Sequence, residues 1–197
     1  MKLHVVILSA AILAVVQHCQ GNCGGGSNTQ TWYFTDWLHT RLPIWTYNST
    51  ANTSPSCKVD LIHWVTTRSA SFTRLYIENF KTYRKNLTAT IPQGHPDLMY
   101  FAADDTICIL ERLLYLNYDH QCALVSVSRY GACANYASAG ARDYVELRVR
   151  NSSIAKGPDC GCRTKFEAFR SSGHRVYTTS CQSILQPGCQ PSPCYSG

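Results

Sequence analysis

The stretch RDYVELRVRNSSIAKGPDCGC, residues 142–162, decides how the chain is read. Residues Tyr144 to Arg150 alternate strictly, with Val145, Leu147 and Val149 on one face and Tyr144, Glu146, Arg148 and Arg150 on the other. Period two over this length predicts a strand with two chemically different faces. It runs into Asn151-Ser152-Ser153, an N-glycosylation sequon expected on an accessible loop of a secreted chain. Two cysteines and a helix-like TKFEAF segment follow. A strand, a glycan loop, a disulfide anchor and a helix in sequence predict a small extracellular β-domain with a helix packed against it.

The rest of the chain supports an extracellular setting. Met1-Lys2 followed by LHVVILSAAILAVV is a charged n-region and an apolar run too short to span a membrane. Cys19-Gln20-Gly21 supplies a small residue for cleavage, so residues 1–21 are expected to be a signal peptide. No later apolar stretch reaches spanning length, and a soluble mature chain is expected. Of the eleven cysteines, ten remain after Cys19 leaves with the signal, an even number suited to disulfides. No His-x3-His or Cys-x2-Cys spacing is present, so neither a metal site nor a cofactor is expected. Sequons at Asn48, Asn52, Asn86 and Asn151 agree with the secretory route. The formal charge of +6 is dispersed, without the Lys/Arg stripe interleaved with aromatics that nucleic-acid binding requires.

Taken in order, residues 22–30 form a Gly/Ser/Asn-rich lead-in, and TWYFTDWLHTR (31–41) carries apolar residues at helical spacing. Strands are expected over 44–47, 57–67, 71–81, 82–91, 98–103, 108–116, 122–128, 144–150 and 176–179, with a helix near 163–169. Short strands bracketed by two helices predict an antiparallel barrel or sandwich over residues 31–185. Residues 186–197 form a Pro/Cys-rich tail outside the sheet.

These residues also carry a resemblance. Thr46-Tyr47 before the strand opened by Cys57, Tyr115-Leu116-Asn117-Tyr118 leading to Cys122, Glu146-Leu147 with a cysteine soon after, and Val176 to Cys181 resemble the tick salivary lipocalins, the family of the tick histamine-binding proteins. The similarity spans about Trp32 to Cys181. It implies an all-β fold with minor α: an eight-stranded antiparallel lipocalin-like barrel with an N-terminal and a C-terminal helix, stapled by disulfides. It further implies Cys57–Cys181 and Cys122–Cys160, with Cys162 an alternative partner for Cys122.

The chain departs from the family where amines are held. The family's Cys-Asp is Cys122-Ala123 here, and its Glu-Leu-aromatic is Glu146-Leu147-Arg148. The loop TYNSTANTSPSC carries no acid. A buried ammonium requires carboxylates and aromatic walls. If Glu146 faces the interior, as the resemblance implies, Arg148 shares that face and opposes a cation while suiting an anion. If the face looks outward, Val145, Leu147 and Val149 line an apolar cavity instead. Further candidates for the cavity wall are Tyr144, Trp45, Tyr47, Trp64 and Tyr100, with Asp60 as a candidate interior carboxylate.

The expected function is sequestration of a small host mediator, either a biogenic amine such as histamine or an amphipathic lipid such as a leukotriene, fatty acid or sterol. A monomer is expected, with a glycosylated protein-binding immunomodulator as the alternative, in which a host protein is the partner. No Gly-x-Ser-x-Gly, His-Glu-x-x-His or phosphate loop is present, so an enzyme is not expected.

Overall fold

The computed structural model describes residues 31–131, 133, 144–169 and 173–186. The expected signal peptide and lead-in, Cys23, Cys189 and Cys194 lie outside the described residues. After a short helix α1 (Phe34–Leu38) come eight antiparallel strands: β1 (Ile44–Ser49), β2 (Ser56–Val65), β3 (Ser69–Glu78), β4 (Lys81–Thr90), β5 (Leu98–Ala102), β6 (Cys108–Leu116), β7 (Cys122–Tyr130) and β8 (Tyr144–Arg150). Helix α2 (Cys160–Phe169), a two-residue strand β9 (His174–Arg175) and a 3-10 helix (Thr179–Leu185) follow. The expected strand over 176–179 is absent; β9 precedes it and the 3-10 helix takes over at Thr179. The C-terminal helix begins at Cys160, three residues before the expected start. Asp159 explains the earlier start, because its Oδ1 accepts the backbone N–H of Cys162 at 2.8 Å and so caps the first turn.

Consecutive strands pair in order from β2 to β8, and β1 joins β8 to β2 to close the barrel. The ladders are unequal. β3 and β4 pair over their whole length, from Ser69↔Thr90 to Glu78↔Lys81. β1 meets β2 only at Ile44↔Asp60 and Trp45↔Val59, and β4 meets β5 only at Thr90↔Tyr100. The rest of the free β1 edge is taken by β9, through Asn48↔Arg175 and Ser49↔His174.

Two apolar clusters lie on opposite sides of the barrel wall. Inside, Ile44, Phe72, Leu87, Met99, Leu113, Leu116, Ala123 and Val125 pack against Phe34, Trp37 and Leu38 of α1, which plugs one end. Outside, Trp45, Val59, Leu75, Leu124, Val145, Leu147 and Val149 are covered by Phe166 of α2 and by Tyr177 and Ile184. The wall is therefore buried on both faces here, which is why both faces of β8 can be more than nine-tenths covered. Arg150 ties plug to wall: its Nη2 donates to the carbonyls of Asp36 (3.1 Å) and Trp37 (2.8 Å). Its guanidinium lies 5.3 Å from the Trp37 ring centre.

Disulfides staple the cover to the wall. Cys57–Cys181 matches the implied pairing, and Cys108–Cys133 ties β6 to the segment after β7. The third corrects an expectation: Cys122 pairs with Cys162, not Cys160. Cys162 is fully buried on the side of α2 that faces the barrel, whereas Cys160 sits at the helix start.

One turn runs against local preference. The two-residue β3–β4 hairpin places Asn79 at φ 50° and Phe80 at φ 61°, a geometry that favours Asn-Gly. Phe80 is 97% exposed, so its ring contributes nothing to the core while its Cβ strains the turn. Phe80→Gly is expected to stabilise the fold by about 1 kcal/mol. Urea denaturation checks this: a midpoint that stays put or falls contradicts it.

Candidate functional site

The inward face of β8 is the charged one. Glu146 and Arg148 are 2% and 1% exposed inside the barrel. Period-two alternation brings Lys58 and Asp60 inward from β2, Arg74 from β3 and Glu111 from β6. All six are buried, and Glu111 is 0% exposed. They form one layer of three cations and three anions across the barrel.

Arg148 sits at its centre. Its Nη1 and Nη2 clasp Glu111 at 2.6 and 2.7 Å, while Nε and Nη2 hold Glu146 Oε2 at 2.9 and 2.7 Å. Arg74 grips Asp60 in a two-pronged contact at 2.7 and 2.8 Å and reaches Glu111 Oε1 at 3.0 Å. Lys58 Nζ meets Glu146 Oε1 at 2.6 Å, and the Thr46 hydroxyl donates to Glu146 Oε2 at 3.4 Å. Every carboxylate oxygen in the layer thus accepts at least one hydrogen bond. Arg74 also lies over the edge-to-face pair Phe72 and Phe101, 5.4 and 5.2 Å from their ring centres.

The charges hold each other ionised. Burial alone raises a carboxyl's pKa, but Lys58 and Arg148 outweigh it and bring Glu146 down to about 2. Glu111 is held lower still, since Arg148 and Arg74 outweigh the same desolvation. Arg148 is raised far above its ordinary value, its desolvation being outweighed by Glu111 and Glu146. Lys58 goes the other way. Burial, then the neighbouring Arg74, lowers it to about 8 despite Glu146.

Of the residues expected to line a cavity, Glu146, Arg148 and Asp60 converge in this layer, and Tyr144 sits half-buried against the inner cluster one step along β8. The others point elsewhere. Trp45 is fully buried on the outer face, against Tyr177 at 5.0 Å, and its Nε1 donates to Asn151 Oδ1. Tyr47 stacks on Tyr177 and carries the Arg175 guanidinium 4.0 Å from its ring centre. The covering C-terminal segment gives outward aromatics a core of their own, which the cavity-wall expectation did not include. Trp64 is 48% exposed, and Tyr100 lies on the face opposite Met99 and Phe101. Lys58, Arg74 and Glu111 were missed. Their signal was faint but present, since Lys58 and Asp60 flank Val59 and so share a face.

The sequons divide as well. Asn52 and Asn86 are exposed. Asn48 lies within β1 with its side-chain oxygen buried and unpartnered. Asn151, expected on an accessible loop, is half-buried in a turn, its oxygen also accepting from Gln182 Nε2 at 2.8 Å. Cys122, Asp159 and Cys162 converge in the manner of metal ligands. The two sulfurs are bonded to each other and Asp159 caps α2, so the trio is structural.

The barrel closes on itself, is plugged by a helix at one end and carries a helix across its outer wall. The crystal structure of the AM182–serotonin complex superposes on it with a TM-score of 0.59 at 18% identity, over 77% of this chain and 94% of that one. The fold is lipocalin-like. No family model and no curated protein sequence matches the chain. Among the described residues, no helix is long and apolar enough to cross a membrane. Three disulfides in a lipocalin-like fold are the chemistry of an oxidising compartment.

The layer makes stability depend on pH with a definite sign. Glu146, lowered from 4.5 to about 2, contributes stability that is full above about pH 5 and is lost as pH falls towards 2, and Glu111 acts in the same direction. Lys58, lowered from 10.5, disfavours the charged form in the fold, so its cost persists below pH 8 and fades as pH rises towards 10.5. Unfolding free energy should therefore climb from pH 2 to 5, level off, and rise again above 8. Arg148→Met, which strands Glu111 and Glu146, should cost roughly 3–5 kcal/mol at pH 7. Urea titrations across pH check both; a loss under 1 kcal/mol would show that the layer does not organise the interior.

Proposed function

We propose that the protein is a secreted lipocalin of the tick salivary type that binds and sequesters a small host mediator, blunting inflammatory and haemostatic defence. The sequence resemblance over Trp32–Cys181 supports this, as does the likeness of its fold to the AM182 structure, which was solved with serotonin. The mode is stoichiometric binding without turnover, because the ionised groups of the barrel engage one another.

The observation that carries the choice of ligand is the closed hydrogen bonding of Asp60, Glu111 and Glu146. An entering ammonium finds no carboxylate oxygen without a donor, and it faces Arg74, Arg148 and Lys58 in the same layer. The desolvation cost of a buried cation would go uncompensated. A neutral or anionic amphiphile suits the interior better, so a lipid mediator is favoured over histamine or serotonin. A second reading, a protein-binding immunomodulator, draws on Phe80 and Tyr118, aromatic rings that are almost fully exposed.

Isothermal titration of delipidated protein with histamine and with serotonin should give no saturable heat, while a fluorescent fatty acyl probe should bind with micromolar affinity or better. Saturable amine binding would overturn the preference for lipid. Failure of every small molecule in a folded sample would leave the protein-binding reading.

A further inference from the structure

The donors and acceptors of the charged layer do not balance. The carboxylate oxygens of Asp60, Glu111 and Glu146 are all occupied, and so are all three nitrogens of Arg148. Lys58 Nζ has three N–H groups, yet Glu146 Oε1 is its sole acceptor among the described residues. Arg74 stands on the adjacent strand, close enough that its charge is the second-largest influence lowering Lys58, after burial. Two cations side by side with N–H groups to spare form a site for a negative charge, or for a neutral acceptor at lower affinity.

Position supports the same conclusion. On the inner face of β2, Lys58 lies one step beyond Asp60, away from the residues that pack on α1, and Arg74 of β3 stands opposite Asp60 in register. The side chains of Lys58, Asp60 and Arg74 are 7%, 6% and 8% exposed, against 0% for Glu111 and 2% for Glu146 and Arg148. The less deeply buried side of the layer is therefore its β2–β3 side, where Lys58 and Arg74 are the donors. We propose that Lys58, with Arg74 beside it, anchors the anionic headgroup of the ligand, a carboxylate on an amphipathic chain.

The proposal rests on the reading of the barrel as a small-molecule binder and narrows its ligand class. The groups facing Lys58 are Arg74 from β3, Glu146 and Arg148 from β8, and Glu111 from β6. A bound carboxylate adds the acceptor that the ammonium lacks and holds its proton in place, so binding near pH 8 takes up protons.

The test compares cis-parinaric acid with its alcohol, cis-parinarol, by fluorescence titration of the delipidated full secreted chain. The wild type should bind the acid at least about tenfold more tightly than the alcohol. Lys58→Met should lose the preference, binding the acid and the alcohol equally, and Lys58→Arg should restore the preference for the acid. Calorimetry at pH 8 in buffers of different ionisation enthalpy should show proton uptake with the acid in the wild type and none in Lys58→Met. Equal binding of acid and alcohol by the wild type overturns the anchor and leaves the small-molecule reading standing. A tenfold preference that survives in Lys58→Met overturns the assignment to Lys58. Binding of neither probe overturns the anchor together with the cavity it requires.

Discussion

The structure depends on Arg148 being enclosed between two carboxylates. A guanidinium in the middle of a barrel is tolerable only if every face of it is answered, and Glu111 on β6 and Glu146 beside it on β8 answer it in full. Once those acids are in place, their remaining lone pairs need donors, and Arg74 and Lys58 supply them. Asp60 then balances Arg74. Each charge makes the next one necessary. Such a layer contributes little net stability over a well-packed apolar one, but it penalises any register in which one member is displaced.

This layer gives the barrel a polar interior and an apolar exterior along β8, the reverse of the common arrangement for a sheet with one face in water. The exterior can be apolar because α2, Tyr177 and the 3-10 helix lie over it, anchored by Cys57–Cys181 and Cys122–Cys162. The disulfides and the charged layer thus serve opposite faces of one wall. Cross-links fix the cover that lets Val145, Leu147 and Val149 point outward, and this frees the inner positions for chemistry.

Much of this was legible in the sequence. β-rich composition bounded by turn signals located all eight barrel strands to within a few residues, and the strict alternation of Tyr144 to Arg150 identified the strand on which the site is built. The inward direction of that strand was not readable from alternation, because a wall buried on both faces erases the contrast between solvent and core. Resemblance to a family, not periodicity, pointed Glu146 inward. The same double burial misplaced Trp45 and Tyr47, whose aromatic character suits an outer core as well as an inner one. Glu111 and Arg74 escaped notice because Glu111 is adjacent to Arg112 in an otherwise apolar run and Arg74 lies between Thr73 and Leu75, and only the closed barrel brings them within reach of Arg148. The choice of Cys162 over Cys160 depends on which side of α2 faces β7, a matter of helix rotation that spacing alone leaves open.

The unequal ladders have a mechanical meaning. With two residue pairs joining β1 to β2 and one joining β4 to β5, the single closed sheet has two weak seams, which divide β2-β3-β4 from β5-β6-β7-β8-β1. Lys58, Asp60 and Arg74 belong to the first, with a net charge of +1, and Glu111, Glu146 and Arg148 to the second, with −1. The Lys58–Glu146 and Arg74–Glu111 contacts bridge the two strand sets. The charged layer is therefore a clasp between the two strand sets, its three members on one side complementing the charge of its three on the other across thin seams. Across those seams side-chain ion pairs do the closing that backbone hydrogen bonds do elsewhere, so the roundness of the barrel is set by charge as well as by strand pairing.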